Sequence, residues 1–156
     1  MSYYDDLPIG VRRDFGSYTF EKDDVIEFAK KFDPQRFHLS EEGAAETHFG
    51  RLCASGWHTA SIWMKLNTLR WQKEIDAYVA AGHQRPVLGP SPGFEDLKWL
   101  KPVFVGDTIS FFGTFTGKRA LKSKPGWAML NAQNEGVNQH GDLVFSFTGH
   151  VMIAVE

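Results

Sequence analysis

Hydrophobic positions follow a helical period in the first half of the chain and a strand period in the second half. The first amphipathic segment begins near Lys22 and ends at Asp33, and its apolar stripe consists of Val25, Ile26, Phe28, Ala29 and Phe32. Acidic residues occupy its first turn and lysines its last, as the helix dipole favours. The preceding segment, Phe15–Phe20, has the aromatic and threonine content of a short strand.

The longest helical pattern opens at Ser55-Gly56 and runs to about Ala80. Its apolar residues recur at helical spacing, and they are Ile62, Leu66, Leu69, Trp71, Ile75, Tyr78 and Val79. The first half carries a single charged side chain, Lys65, so we expect this helix to start in a buried environment and to emerge later. A short helix with Ser40 as its N-cap is predicted to reach about Glu46, and Thr47–Ala54 is predicted to be a loop.

After a Gly- and Pro-rich loop at Gln84–Gly93, the pattern becomes that of β structure. Apolar and polar residues alternate, and turn signals occur at Lys124-Pro125-Gly126 and Gly141-Asp142. The predicted strands are Gly93–Leu100, Asp107–Gly117, Trp127–Glu135 and Leu143–Val155. One long helix followed by an antiparallel meander predicts an α+β domain in which the helix packs across a curved sheet.

Composition narrows the class of protein. The 156 residues suit one domain covering residues 1–156, and 17 basic and 19 acidic side chains are scattered along the chain, so we expect no nucleic-acid partner. The start of the chain lacks a basic and apolar leader, and no apolar run approaches the ~20 residues that span a bilayer. We therefore expect a cytoplasmic protein without membrane contact. The single Cys53 and the absence of a Cys/His cluster predict neither an internal disulfide nor a metal site.

Asp33 and His38 stand on the two sides of a turn that begins with Pro34. Proline disfavours helix at the residue before it, so the helix ends at Asp33 and the two side chains can converge on one bound water. Such a pair suits an enzyme that moves protons to and from adjacent carbons. The spacing alone is weak, because ten Asp and six His in 156 residues supply about 0.4 such pairs by chance. Alternatively, Asp33 only ends a helix and His38 is a structural histidine.

The start of the long helix is a second candidate site. If it is buried, its N–H groups need partners; Ser55 supplies one as N-cap, and a ligand oxygen can accept from Gly56 or Trp57. Trp57 either fills the core or narrows a pocket, and the thirteen Phe and five Trp either form a core or line a tunnel for an acyl chain. In both cases we favour the core, and we expect His58 to be structural.

Three segments, in this order, resemble the MaoC-like dehydratases, a family that includes (R)-specific enoyl-CoA hydratases. They are Phe32–His38, Ala54–Ala60, and Leu97–Val103 together with Gly106-Asp107-Thr108. The resemblance implies the hot-dog fold, in which a curved antiparallel sheet wraps a long central helix, usually in a dimer whose sheets join edge to edge. It also implies that Asp33 and His38 are the catalytic pair, and that the N–H of Gly56 or an immediate neighbour contacts the substrate oxyanion, with Ser55 and Trp57 beside it.

The activity implied by this resemblance is reversible syn hydration of trans-2-enoyl-CoA to (R)-3-hydroxyacyl-CoA, in fatty acid metabolism. The implied partner is an acyl-CoA, with an acyl-carrier-protein thioester as second choice, and no metal or redox cofactor is needed. A homodimer or a larger homo-oligomer is expected. The alternatives are a hot-dog thioesterase and a non-catalytic acyl-CoA-binding subunit. Many hydratases of the family have Asn where this chain has Gln35 and His where it has Ser55.

Overall fold

The computed structural model of the protein describes residues 2–156. Its helices are α1 (Tyr3–Asp6), α2 (Lys22–Phe32), α3 (Glu41–Ala45) and α4 (Gly56–Ala80). Its strands are β1 (Arg12–Thr19), β2 (Gly93–Trp99), β3 (Thr108–Ala120), β4 (Trp127–Val137) and β5 (Leu143–Ala154). A single 3₁₀ turn at Arg36–His38 connects α2 to α3.

The five strands form one antiparallel sheet in the order β1-β3-β4-β5-β2. Alternate residues of β3 point inward, so that Ile109, Phe111 and Phe115 are buried, and the burial of β4 alternates in the same way. In β5, by contrast, the consecutive residues Val144 to Phe147 are all buried. Trp63 of α4 packs edge-on against Phe147 of β5, with 4.5 Å between the ring centroids. The predicted α+β hot-dog fold, with a long helix against an antiparallel sheet, is confirmed.

The first strand begins earlier than predicted, at Arg12 rather than Phe15. Its polar start does not look like a strand, but it pairs with β3 in register from Arg12 opposite Thr114. The Arg13 side chain is buried because it forms an ion pair with Glu74 of α4. Helix α1 was not predicted, since four residues held by a capping box between Ser2 and Asp5 leave no periodic signal.

Helix α4 has the predicted bounds, but its first half is not buried all round. Trp57, Met64 and Leu69 are about half exposed, whereas Thr59 and Trp63 are buried. The apolar residues encircle the helix while the sheet covers only one side of it, so several of them stay uncovered. No helix among residues 2–156 is both long enough and apolar enough to cross a membrane.

Candidate active site

A turn after α2 brings the Asp33 and His38 side chains together. The Asp33 N–H still donates to the Ala29 carbonyl, but Pro34 has no N–H and the helix stops. The chain then folds into the 3₁₀ turn, with the His38 N–H donating to the Gln35 carbonyl. As a result, Nε2 of His38 lies 3.3 Å from Oδ2 of Asp33, and both side chains are largely buried.

Both carboxylate oxygens of Asp33 accept a hydrogen bond from a neutral side chain. The amide of Gln35 donates to Oδ1 and the hydroxyl of Ser55 donates to Oδ2, each at 2.7 Å. Burial raises the pKa of Asp33, but these two hydrogen bonds and the charge of His38 outweigh burial and leave the pKa below its ordinary value. Asp33 is therefore an oriented carboxylate at neutral pH.

The ring of His38 is oriented by a backbone carbonyl. Its Nδ1 lies 2.7 Å from the carbonyl oxygen of Cys53. A carbonyl can only accept, so Nδ1 carries the proton and, in the neutral ring, Nε2 presents its lone pair toward Asp33. Two acceptors then face each other across 3.3 Å. A water molecule beside the two atoms can donate one O–H to each, and a protonated ring can instead donate from Nε2 directly to the carboxylate.

Cys53 itself is not a nucleophile in this arrangement. Its Sγ lies 3.7 Å from Nδ1 of His38. That ring nitrogen is already hydrogen-bonded to the carbonyl oxygen of Cys53. Burial raises the pKa of the Cys53 thiol to about 11, so the thiolate is scarce at neutral pH. The contribution of Cys53 to the site is its carbonyl oxygen.

Ser55 connects the catalytic candidates to the start of α4. Its hydroxyl oxygen accepts the Trp57 N–H at 3.2 Å as the N-cap of the helix, while its single proton goes to Asp33. The N–H of Gly56 has no hydrogen-bond partner within residues 2–156. A donor at a helix N-terminus, next to an anchored carboxylate, is thus left for a ligand oxygen.

The position of Gly56 requires the absence of a side chain. The indole N–H of Trp99 donates to the Gly56 carbonyl at 2.9 Å. A Cβ at position 56 would come within 2.5 Å of the Trp99 ring. Any other residue would push Trp99 away from the helix start, which makes these two residues one packing unit.

Trp57 corrects the prediction that it fills the core. Its side chain is 53% exposed and meets Trp99 edge-on, with 4.9 Å between ring centroids. It lines the mouth of a cavity of about 310 Å³ between α4 and the sheet, whose wall is mostly apolar. The aromatic residues therefore serve both of the predicted purposes, because Trp63 and Phe147 belong to the core and to the cavity wall.

His58, two residues after Gly56, takes no part in this arrangement. Its ring stacks on Phe28 with 4.7 Å between centroids and meets Phe20 edge-on. Burial lowers the pKa of His58, and the charge of Asp24 offsets this only in part. Its Nδ1 has no hydrogen-bond partner within the described part of the chain, so His58 is a neutral core residue, as the sequence predicts.

The structure thus brings together Asp33, His38, Ser55 and Gly56, and it places Trp57 at the adjoining cavity. Sequence reasoning missed the Cys53 carbonyl, for which no side-chain signal exists. It also missed the hydrogen bond from the Gln35 amide to Asp33, which the position of Gln35 two residues after Asp33 would have suggested. It also missed Asn134, the one polar residue in the inward row Ala128, Leu130, Ala132, Asn134 and Gly136 of β4. No cluster of three or more potential metal ligands occurs among residues 2–156.

Comparison with known proteins places this geometry in context. Residues 7–133 match the family described as MaoC like domain. The uncharacterized protein YdeM of Bacillus subtilis (strain 168) is 40% identical over 121 residues, which cover 78% of this chain and 74% of YdeM.

Two solved structures share the fold over nearly the whole chain. The MaoC-like dehydratase from Rhodospirillum rubrum is 32% identical, with a TM-score of 0.79 and coverage of 99% of this chain and 97% of that one. The (R)-hydratase from A. caviae involved in PHA biosynthesis is 23% identical, with a TM-score of 0.65 and coverage of 94% and 96%. The second likeness concerns the fold alone.

Proposed function

This chain belongs to the MaoC-like domain family, and on that premise we propose that it catalyses the reversible hydration of trans-2-enoyl-CoA to (R)-3-hydroxyacyl-CoA. The observation that carries the proposal is the pair of oriented acceptors, Nε2 of His38 and Oδ2 of Asp33, 3.3 Å apart. The Cys53 carbonyl orients His38 through a hydrogen bond at Nδ1, and the Ser55 hydroxyl orients Asp33 by donating to its carboxylate. We therefore propose that the pair is preorganised for one water molecule.

In the proposed reaction, the water held by the pair attacks Cβ of the enoyl thioester. One member of the pair takes a proton from the water as the new C–O bond forms, and a proton from the pair is delivered to Cα on the same face. The pair thereby returns to its starting protonation state, and the net addition is one water. Asp33 and His38 share the water, so we assign the base to the pair and not to either residue.

Negative charge develops on the thioester oxygen when Cβ is attacked. The unpartnered N–H of Gly56 at the N-terminus of α4 is the donor that we propose for this oxygen, and the helix dipole adds to its effect. The adjoining cavity, which opens at Trp57, has the apolar wall expected for an acyl chain. Hydration is redox-neutral and the pair supplies the proton transfers, so we propose that the reaction uses no metal or redox cofactor.

The same features argue against the two alternative functions. A thioesterase would need the water to attack the carbonyl carbon, whereas in our proposal the water shared by Asp33 and His38 attacks Cβ and the pair returns a proton to Cα. A non-catalytic subunit would have no need to orient both members of the pair by separate hydrogen bonds. Both alternatives are outcomes of the test below.

The exposed residues around the cavity mouth support assembly with a second copy of this chain. Strand β2 lies at the edge of the sheet and pairs only with β5. Phe94 and Trp99 on this strand and Leu100 after it are about half exposed, and Trp99 contacts Trp57. We propose a homodimer in which the β2 edges adjoin, since a second copy would cover this apolar surface. Size-exclusion chromatography with light scattering measures the mass directly.

The test of the activity uses crotonyl-CoA and longer trans-2-enoyl-CoAs. The purified protein should consume the absorbance of the conjugated thioester, and Asp33→Asn and His38→Ala should abolish this. Asp76→Asn and His83→Ala, which change the same residue types at the far end of α4, are the matched controls and should stay active. Release of free thiol by the wild-type protein would instead establish the thioesterase, and binding without turnover would establish the non-catalytic subunit.

A further inference from the structure

Small residues on three neighbouring strands line the cavity between α4 and the sheet. Gly113 of β3, Ala132 of β4 and Gly149 of β5 all line it. A Cβ at position 113 would lie 2.4 Å from the ring of Phe15, and one at position 149 would lie 3.2 Å from the amide nitrogen of Asn134. The two glycines therefore leave room for the Phe15 and Asn134 side chains in the cavity wall.

Of the polar side chains that line this cavity, Asn134 is the one on the central strand β4, and the others are Arg13, Asn67, Ser91 and His150. Asn134 is 3% exposed and is directly opposite Gly113 on one side and Phe147 on the other. Its amide nitrogen donates one long hydrogen bond, of 3.3 Å, to the Ala132 carbonyl. Within residues 2–156 this is its one side-chain hydrogen bond, so the amide oxygen and the second N–H are left to a group in the cavity. Two buried donors without a partner, Nε1 of Trp63 and Nε1 of Trp71, belong to residues of the same wall.

The surroundings of Asn134 specify the charge of a matching ligand group. Arg13 is the one permanently charged side chain that lines the cavity among residues 2–156, and both its Nε and one terminal nitrogen donate to Glu74. His150 is occupied at Nδ1 by Asn131. An anionic group would therefore enter without a free counter-charge, which burial penalises heavily. A neutral group that both donates and accepts, such as a hydroxyl, is matched.

We infer that Asn134 selects acyl chains that carry a neutral hydroxyl group in this cavity, rather than plain hydrocarbon chains. The inference rests on the proposed function only in assuming that the cavity receives the acyl chain of a coenzyme A thioester. A site that hydrogen-bonds a ligand hydroxyl rejects the analogue without it, because its own buried polar atoms are then left unpaired.

The fold also gives an approximate position for the hydroxyl. Trp63, which packs on Phe147 beside Asn134, lies seven residues after Gly56, or about 10 Å along the helix at ~1.5 Å per residue. An extended carbon chain advances roughly 1.2 Å per bond, so the hydroxyl belongs about eight bonds from the thioester carbon. The cavity volume of about 310 Å³ equals roughly ten water volumes, which suits a chain of that length.

Calorimetric titration with saturated acyl-CoAs tests this inference without turnover. Hexanoyl-, octanoyl- and decanoyl-CoA are each compared with the analogue that bears a hydroxyl on the terminal carbon. The wild-type protein should bind the hydroxylated member at least about tenfold more tightly at the best length. Asn134→Leu, of similar volume, should remove or invert this preference. Gln133→Leu, on the opposite face of the same strand, should keep it.

Thermal unfolding of each variant controls for folding, and Asn134→Ala replaces the leucine variant if the latter does not fold. Equal affinity for both members of every pair in the wild-type protein would overturn the inference, as would a preference that survives both Asn134 variants. A hydroxyl preference without hydration of any enoyl-CoA would sustain the inference and refute the proposed function. Hydration without a hydroxyl preference would support the proposed function and overturn the inference about Asn134.

Discussion

Two histidines near the start of α4 are equally buried and yet have opposite surroundings. His38, 6% exposed, has a backbone carbonyl at one ring nitrogen and a carboxylate at the other. His58, 5% exposed, is stacked on one phenylalanine and bordered by another, and its Nδ1 has no partner within residues 2–156. Burial alone therefore does not make an imidazole chemically competent; the polar groups that hold its two nitrogens do.

The two histidines should differ most in their contribution to enzymatic activity. His38→Ala should lower kcat/KM by about 10²–10⁴, the usual contribution of an acid–base group. His58→Phe should leave kcat/KM within about threefold of the wild type, since an aromatic ring of similar shape retains the stack on Phe28. Steady-state hydration of crotonyl-CoA by the two variants measures both effects. Equal losses in the two variants would show that the contrast between the histidines has no functional meaning.

Moving the oxyanion donor should have the next largest effect. Gly56→Ala places a methyl group against the Trp99 ring and so displaces the first turn of α4. We expect a loss of about 10²–10³ in kcat, the usual cost of one oxyanion donor. A double variant, Gly56→Ala with Trp99→Ala, removes the clash and should recover part of the loss. Failure of the double variant to recover any activity would contradict the packing argument.

Ser55→Ala tests the contribution of Ser55 to the polar surroundings of Asp33 and His38. It removes the N-cap of α4, which should lower the free energy of unfolding by about 1 kcal/mol. It also removes the hydrogen bond from the Ser55 hydroxyl that orients Asp33. That bond lowers the pKa of Asp33, so its loss raises the pKa and should move the acid limb of the kcat/KM profile to higher pH. Ser55→Thr should restore both. An unchanged acid limb in Ser55→Ala would argue that Ser55 only caps the helix.

The smallest expected effect concerns stability on the apolar side. The pKa of His58 is lowered in the folded state, so the unfolded state binds the proton more tightly. Protonation of His58 therefore destabilises the fold. This effect is absent above about pH 6.5 and grows as the pH falls below it. His58→Phe should remove this dependence and also the unpaired Nδ1. Urea unfolding at pH 7.5 and 5.5 should show a gain over wild type that is larger at pH 5.5. An equal gain at both pH values would mean that His58 does not titrate.

The sequence predicted the fold well where the pattern was long. The 25 residues of α4 and the alternating strands β3 to β5 carry many repeats, so their period is unambiguous. Prediction was poorer at the start of the chain, where α1 has four residues and β1 opens with polar ones. These segments are stabilised by partners that are distant in sequence, including Arg13 with Glu74, which no local pattern records.

For the candidate site, the sequence predicted which residues gather but not how they are oriented. Asp33 and His38 are joined by a short turn, so their proximity follows from Pro34 and from the fact that only four residues separate them. The roles proposed for them stay predictions until activity is measured. By contrast, Trp57 was expected in the core and lies at the mouth of the cavity, because the sheet covers only one side of α4.

By itself, then, the sequence determined the periodicity of its elements, the turn that carries the Asp33–His38 pair, and the order of the motifs that resemble a known family. Only the tertiary structure decided the tautomer of His38, the hydrogen bond from Ser55 to Asp33, and the position of the Asn134 amide in the cavity wall. The physical reason is range. Periodicity and turns depend on neighbours along the chain, whereas hydrogen bonds to backbone atoms and the shape of a cavity depend on neighbours that only folding brings near.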